Sequence, residues 1–355
     1  MAGAPAANAA ALIIAGGRST RFWPEGRASR PKPLFAPDGK TTLLDAAVAR
    51  AIALCGRERS FIVVVRDHAA IFRRALGNSL PRENLLVEPQ ARGTAVAIAY
   101  GAAVIAARLG AELTLAVTPC DHFIPQPAAF QRTLLRAMRL ARQTHAMVLL
   151  GIPPTRAETG YGYQRVGGPA GLGYRVADFV EKPSLERARK MVRSGRYLWN
   201  GGIFVMEART LADEMKRHTP ALAVTAARMP RMSAAALAAL YRNLDFPSFD
   251  RAIVEPSKHL MGIRADFAWD DVGSWEGLWQ ALRGASENVE IGDVVTLDSR
   301  GVLARSGKRL MVLLGVDDLI AVDTEDALLI ARRSKSQDLI RVLDELKRRK
   351  LDRYL

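Results

Sequence analysis

Cysteines, long apolar runs and a targeting segment are scarce or missing in this chain of 355 residues. Its two cysteines, Cys55 and Cys120, have no motif spacing, so we expect no disulfide framework and a reducing compartment. No apolar run approaches the roughly 20 residues that span a bilayer. The alanine-rich N-terminus also lacks the basic region of a signal peptide. The sequence therefore predicts a cytoplasmic protein with no membrane partner.

Acidic residues are in the minority, because 36 Asp and Glu against 51 Lys and Arg give a formal net charge of +15. Clustered cations of this kind bind the phosphates of nucleic acids. Here the basic residues are spread along alanine-rich helical stretches, with neither interleaved aromatics nor a known nucleic-acid-binding module. We therefore expect no nucleic-acid partner and a surface that favours anionic small molecules.

Two common phosphate-binding signatures are missing, since the chain matches neither G-x-x-x-x-G-K-[ST] nor G-x-G-x-x-G. A P-loop ATPase and an ordinary dehydrogenase both lose support. A different loop, AGGRSTRFWPEGRASRPKPLF, begins at Ala15, where an apolar run ends. Gly16 and Gly17 allow backbone N–H groups to approach a phosphate closely, while Arg21 and Lys32 add positive charge. The alternative is a surface loop whose arginines are only solvated.

Short, continuous apolar runs alternate with helical stretches in the first half of the chain, which indicates strands covered on both faces. The pattern predicts strands at Leu12–Ala15, Phe61–Val65, Leu85–Val87, Leu113–Val117 and Met147–Leu150, and helices at Leu43–Leu54, Ala95–Leu109 and Ala128–Gln143. This is typical of a Rossmann-like, doubly wound α/β sheet, whose ligands bind at the carboxyl ends of the strands. We expect the stretch 151–282 to continue this domain and to hold a second substrate.

After Glu287 the pattern changes to short β runs separated by turn residues, followed by a final helix over Lys335–Arg349. The length of the chain also favours two domains. We therefore predict an α/β domain over residues 1–286 and a small β-rich domain of stacked short strands with a terminal helix over residues 287–355. An assembly or lid role, including a possible homodimer, is expected for the second domain.

Seven motifs, in order and at approximate spacing, resemble those of the sugar-1-phosphate nucleotidylyltransferases. They are AGG…TRFWP…RPKPLF, VEPQARGTAVAI, VTPCDHFI, ETGYGYQRV, FVEKP, WNGGIFV and FAWDDVGSW. The nearest branch of the family makes GDP-mannose from GTP and mannose 1-phosphate. The resemblance implies that branch's activity and a GT-A-like, Rossmann-like nucleotidyltransferase domain. No isomerase domain follows the β tail, so a single-activity form is expected.

The implied reaction explains why the loop that follows Ala15 carries glycines and cations. A sugar 1-phosphate oxygen attacks the α-phosphorus of the nucleoside triphosphate, and diphosphate leaves. Since this nucleophile is already an anion, the site must mainly position two polyanions and stabilise their charge. The resemblance assigns triphosphate binding to Gly16, Gly17, Arg21 and Lys32, with the two cations also counted as catalytic.

A Mg²⁺ site is implied by two aspartates of the resembling motifs, Asp121 in VTPCD and Asp271 in WDDVGSW. Magnesium prefers a few carboxylates together with substrate phosphate oxygens. Both aspartates count as catalytic, and Asp121 also as nucleotide-binding. Asp270 competes with Asp271 for the metal, although Asp271 matches the motif position. Asp121 alone also fits an N-cap or strand-end residue, and we expect His122 to be structural.

The sugar phosphate is assigned by the same resemblance to the FVEKP and WNGGIFV motifs. Lys182 is expected to pair with the phosphate, Glu181 with sugar hydroxyls, and Asn200 and the Gly160 backbone with the rest of the hexose. Without the resemblance, a glutamate–lysine pair at a strand end is an ordinary surface pair.

The base is expected to contact Glu88 and Thr94, because a carboxylate can accept from both N–H donors on one edge of guanine. The alternative is that Glu88 only orders the loop before Pro89. Gly93 and Val96 depart from the residues usual in the family. These departures concern the choice of nucleotide and not the reaction.

Three alternatives stay open at this point. The first is a family member that uses glucose 1-phosphate or another nucleotide. The second is a non-catalytic, regulatory relative, which has no need of the four catalytic residues. The third, a basic nucleic-acid binder, lacks the features named above.

Overall fold

The computed structural model describes residue 6 and the ranges 8–16, 20–27, 30–283 and 287–355. The chain forms two compact units, each built from several segments. The first unit comprises Met1–Gly16, Ala47–Cys120 and Ile124–Ala268, and the second comprises Gly17–Ala46, Asp121–Phe123 and Trp269–Leu355. Gly17, one of the predicted phosphate-binding residues, lies outside the described residues.

The first unit contains a nine-stranded mixed sheet in the order β3-β2-β1-β4-β8-β5-β9-β7-β6. Its strands are β1 Ala9–Ala15, β2 Ser60–Val65, β3 Leu85–Glu88, β4 Thr114–Pro119, β5 Met147–Ile152, β6 Gly162–Ala170, β7 Gly173–Glu181, β8 Tyr197–Glu207 and β9 Leu260–Arg264. Strand β1 runs parallel to β2 and β4, whereas β8 is antiparallel to both β4 and β5. The parallel strands are buried, as their continuous apolar sequences require.

Ten α-helices are described in the chain. They are α1 Leu43–Cys55, α2 Arg66–Leu76, α3 Thr94–Leu109, α4 Pro127–Thr144, α5 Leu185–Arg193, α6 Ala208–His218, α7 Pro220–Arg228, α8 Ala234–Arg242, α9 Trp275–Leu282 and α10 Leu339–Arg348. Serine side chains begin three of them, since Ser184, Ser233 and Ser274 each accept a backbone N–H from the first turn. Among the described residues, none of these helices has the length and apolarity to span a lipid bilayer.

The second unit is dominated by short strands. They are β10 Val289–Ile291, β11 Val294–Leu297, β12 Leu303–Arg305, β13 Met311–Leu314, β14 Leu319–Asp323 and β15 Leu328–Arg332. Strands β10, β12 and β14 are parallel neighbours, β15 adds to β14 in antiparallel fashion, and β11 pairs with β13 alone. A shared apolar cluster packs Phe22, Trp23 and Phe35 against Trp275 and residues of these strands.

The predicted α/β fold with C-terminal β strands and a terminal helix is confirmed. The five strands and three helices predicted in the first half are all present, and their ends differ from the predicted ones by three residues at most. The helices α2, α7, α8 and α9 and the strand β6 were not predicted from the sequence. The division at residue 286 stays a prediction, because the compact units instead group residues 17–46 with the C-terminal segment.

Candidate active site

Lys32 is the centre of a charged cluster within the second unit. It begins a 3-10 turn, Lys32–Leu34, and its side chain is buried at 8% exposure. Its Nζ donates to Asp121 Oδ2 at 2.8 Å and to the backbone oxygen of Asp271 at 2.6 Å. Proline residues on both sides restrict the backbone around this lysine, which limits the directions its side chain takes. The structure therefore brings together three of the four predicted catalytic residues.

An isolated β-bridge joins the two segments that carry these aspartates. The Phe123 N–H donates to the backbone oxygen of Asp270 at 2.9 Å, and the Asp270 N–H donates back to the backbone oxygen of Phe123 at 3.1 Å. Asp121 and Asp271, which are far apart in sequence, consequently lie one or two residues from the same bridge. From the sequence alone, only the family resemblance indicated that Asp121 and Asp271 lie close together.

The electrostatics of the cluster favour a charged Asp121. Burial tends to raise the pKa of this carboxyl, but the charges of Lys32 and His122 and the hydrogen bond from Lys32 outweigh it, so the pKa lies below its ordinary value. His122 is 8% exposed and contacts the indole Nε1 of Trp269 through its Nδ1 at 3.1 Å. This contact agrees with a structural role for His122.

Asp270 and Asp271 have different surroundings. The Asp270 side chain is buried, and its Oδ1 accepts the backbone N–H of Val272 at 2.6 Å. Val272 has a left-handed backbone with φ of 45°, so this bond stabilises a tight turn. The Asp271 carboxylate lies over Gly273, where an added Cβ would come within 3.3 Å of its Oδ1. Asp270 therefore uses one carboxylate oxygen in the turn, whereas the Asp271 carboxylate lies at the glycine two positions further on.

The other predicted phosphate-binding residues occupy less constrained positions. Arg21 lies in the 3-10 turn Thr20–Phe22 of the second unit and is exposed. Phe22 beside it is buried against Phe35 and Trp275 at ring-centroid distances of 4.7 and 5.1 Å. Gly16 follows β1 in the first unit, and no atom of the described residues lies within 4 Å of the Cβ position that a larger residue would occupy there. The Gly16 backbone is thus exposed and open to a ligand.

The two candidate base contacts differ in accessibility. Glu88 ends β3 on the same face as the core residue Leu86 and is only 6% exposed. Burial raises the pKa of Glu88 to about 7, with a smaller opposing effect from Tyr241. Thr94 is exposed at the start of α3, and its Oγ1 accepts the Phe249 N–H at 2.9 Å. The burial of Glu88 agrees with its alternative role of ordering the loop.

The predicted sugar residues come together within the first unit. Glu181 ends β7, and Lys182 follows it with a left-handed backbone, φ 48°. The Lys182 Nζ lies 3.7 Å from Glu181 Oε1, whose side chain is 7% exposed. Asn200 lies in β8 and is buried at 7% exposure. The Gly160 N–H is already used, since it donates to Glu158 Oε1 at 3.1 Å.

Asp250 belongs to this cluster, although the sequence analysis did not select it. It begins a π-helix, Asp250–Val254, and its Oδ1 accepts from Asn200 Nδ2 at 2.7 Å. Burial raises the pKa of Glu181 to about 7, and the nearby charge of Asp250 adds to the rise. Burial likewise raises the pKa of Asp250. No local signal in the sequence FPSFDRAIVEPS distinguishes Asp250 from a surface aspartate.

The fold and these two clusters define a class of enzyme. A family model described as nucleotidyl transferase matches residues 10–288, and a MannoseP isomerase/GMP-like beta-helix domain matches residues 292–346. The chain therefore belongs to the nucleotidyl transferase family and is an enzyme of that family.

Particular relatives narrow the resemblance further. The chain is 34% identical to the mannose-1-phosphate guanylyltransferase of Escherichia coli K12, over 95% of this chain and 73% of that protein. It is also 34% identical to the alginate biosynthesis protein AlgA of Pseudomonas aeruginosa, over 94% of this chain and 71% of that protein. Among solved structures, a mannose-1-phosphate geranyltransferase from Thermus thermophilus has a TM-score of 0.88 and 33% identity, covering 96% of this chain and 99% of that one.

Members of this family generally use a divalent metal ion. In the described part of the chain, no group of three or more His, Cys, Asp or Glu side chains lies close enough to hold a metal. Asp121 contacts Lys32 through its carboxylate and Asp271 through its backbone oxygen, so an ion held by these two residues would need further ligands from substrate phosphates. That donor set fits Mg²⁺, which keeps few protein ligands and binds phosphate oxygens.

Proposed function

We propose that this chain transfers a guanylyl group from GTP to mannose 1-phosphate, with Mg²⁺, to give GDP-mannose and diphosphate. A phosphate oxygen of the sugar forms a bond to the α-phosphorus while the bond from that phosphorus to the β-phosphate bridging oxygen breaks. The attacking oxygen carries no proton, so the reaction needs no general base. What it needs is fixed positive charge and orientation.

The single observation that carries this proposal is the cluster of Lys32, Asp121 and Asp271. A buried ammonium held between a carboxylate and a backbone carbonyl is preorganised to meet phosphate charge. Asp121 and Asp271 would hold the magnesium ion, which supplies positive charge to phosphoryl oxygens when bound. Arg21 is exposed on the preceding turn and would contact the leaving diphosphate.

The nucleotide and the sugar are proposed from the relatives. Mannose 1-phosphate and a guanylyl group stand in the name of the Escherichia coli relative. The acidic and amide side chains of Glu181 and Asn200 are suited to accept from and donate to sugar hydroxyls, and Lys182 to pair with the phosphate. We propose a cytoplasmic setting, a homodimer and no nucleic-acid or membrane partner.

A diphosphate-release assay tests the proposal. Four nucleoside triphosphates are each combined with mannose, glucose and fucose 1-phosphates, with and without Mg²⁺. We expect the highest kcat/KM for GTP with mannose 1-phosphate and no turnover without the metal. A preference for another pair would overturn the specificity but not the reaction. No turnover with any pair would overturn the function and favour a regulatory relative.

A further inference from the structure

Asp250 fixes the orientation of a buried amide in the first unit. Asn200 Nδ2 donates to Asp250 Oδ1 at 2.7 Å, and Asn200 Oδ1 accepts the Gly202 N–H at 3.2 Å. Each end of the amide therefore has a partner of the correct type, so the nitrogen faces Asp250. Asn200 is 7% exposed, which leaves few other rotamers open to it.

The backbone that carries Asp250 is itself unusual. Residues Asp250–Val254 form a π-helix whose last three residues are buried. The Glu255 N–H donates to the backbone oxygen of Asp250 at 2.7 Å and completes the wide turn. Single π turns are rare and occur frequently at functional sites. The packing of Ala252, Ile253 and Val254 anchors Asp250 rather than leaving it on a mobile loop.

Acidic side chains outnumber basic ones around Asp250, as expected for a site that binds sugar hydroxyls. The carboxyls of Glu181, Asp250 and Glu255 are close enough to interact electrostatically, and the positive charges of Lys182 and Arg251 oppose them at Glu181. Glu255 Oε1 also accepts the Glu181 N–H at 3.5 Å. Grouping acids in this way costs stability unless their oxygens accept hydrogen bonds. A hexose supplies hydroxyl donors to such oxygens, and its phosphate pairs with the lysine.

We propose that Asp250 is a positioning residue of the hexose-phosphate site, acting by holding the amide of Asn200 in the orientation that meets the sugar. The proposal rests on the proposed function and names a residue that the motif comparison did not supply. Asp250 acts through Asn200, so the two side chains form one unit. Removing either one should therefore have nearly the same effect on sugar binding as removing both.

Steady-state kinetics of five variants, one of them a control, test this unit. Loss of one hydrogen-bonded contact is worth about 1.4 kcal/mol, so we expect Asp250→Ala to raise the KM for mannose 1-phosphate about tenfold. The KM for GTP should stay within about twofold, because the nucleotide gains nothing from this amide. Asp250→Asn should recover most of the loss, since its carbonyl oxygen accepts the same bond. Asp245→Ala, an exposed acid five positions earlier, is the matched control.

Asn200→Ala and the double variant complete the cycle. We expect the double variant to bind mannose 1-phosphate no worse than Asn200→Ala alone. Multiplicative effects, equal rises in both KM values, or an Asp250→Asn variant as weak as Asp250→Ala would overturn the proposal. If Asp250→Ala fails to fold by circular dichroism, Asp250→Ser, which keeps a polar group but is too short to reach Asn200, takes its place in the cycle. An inactive wild-type chain would instead overturn the proposed function, and this inference with it.

Discussion

Replacing Lys32 with methionine is the most direct test of the charged cluster. Methionine keeps much of the length of the side chain and removes its charge. Lys32 is 8% exposed and contacts Asp121 and the Asp271 backbone at 2.8 and 2.6 Å. The substitution therefore leaves a largely buried carboxylate without its ammonium partner.

The expected loss of stability follows from the burial of the pair. Breaking a buried ion pair by removing one partner costs about 3–5 kcal/mol. The Asp121 side chain is 19% exposed and His122 lies beside it, so solvent and a second group relieve part of the cost. We expect the free energy of unfolding to fall by about 2–3 kcal/mol.

The expected loss of activity is larger. Removing one preorganised group that stabilises transition-state charge lowers kcat by about 100- to 1000-fold. We expect Lys32→Met to show this fall in diphosphate release, with a lower urea midpoint by tryptophan fluorescence. Lys40→Met, an exposed lysine nearby in the chain, is the matched control and should match the wild type in both assays.

A second substitution separates the two effects. In Lys32→Met/Asp121→Asn the remaining side chain is neutral, so no buried charge lacks a partner. We expect this double variant to regain about 1–2 kcal/mol over Lys32→Met while staying inactive. The reasoning is refuted if Lys32→Met unfolds at the wild-type midpoint and keeps kcat within about twofold.

Four further substitutions test other parts of the site. Asp271→Asn should raise the Mg²⁺ concentration for half-maximal activity about tenfold or more. Asp270→Asn should mainly lower the free energy of unfolding, because it weakens the turn to Val272. Equal effects of the two substitutions in the metal titration would contradict this assignment. Arg21→Ala should lower kcat about 100-fold, and near-normal turnover would remove this residue from the triphosphate site. Burial raises the pKa of Glu88 from 4.5 to about 7, so the folded state binds more protons and the free energy of unfolding falls as pH rises from about 4.5 to 7. Glu88→Gln should lose this fall in urea unfolding and, if Glu88 binds the base, raise the KM for GTP; an unchanged KM favours the ordering role.

Much of the fold could be predicted because the information is local. The continuous apolar runs of β1, β2 and β4 predict strands buried on both faces, and the structure has them at those positions. The antiparallel insertion of β8 between β4 and β5 could not be predicted, because strand direction depends on how the chain returns to the sheet. The sequence also did not indicate that Phe22 and Phe35 share a core with Trp275, because these residues are far apart in the chain.

The candidate site divides in a similar way. Motifs identified Lys32, Asp121 and Asp271 because the chemistry limits which residue types can serve. The sequence doublet at Asp270 and Asp271 left the ligand open, and the tertiary structure distinguishes the two residues by the burial of Asp270 and its hydrogen bond from Val272. Asp250 was missed because its importance lies in a contact with Asn200, fifty residues away.

The sequence by itself determined the elements of this protein, the family to which it belongs and the chemical types gathered at its site. Local periodicity and side-chain chemistry are sufficient for these, since each depends on residues near one another in the chain. The tertiary structure alone decided which carboxylates are buried, paired or committed to a turn. Those properties depend on distances between segments that are remote in the chain. Such distances determine how strongly each carboxylate is stabilised by neighbouring charges and hydrogen bonds.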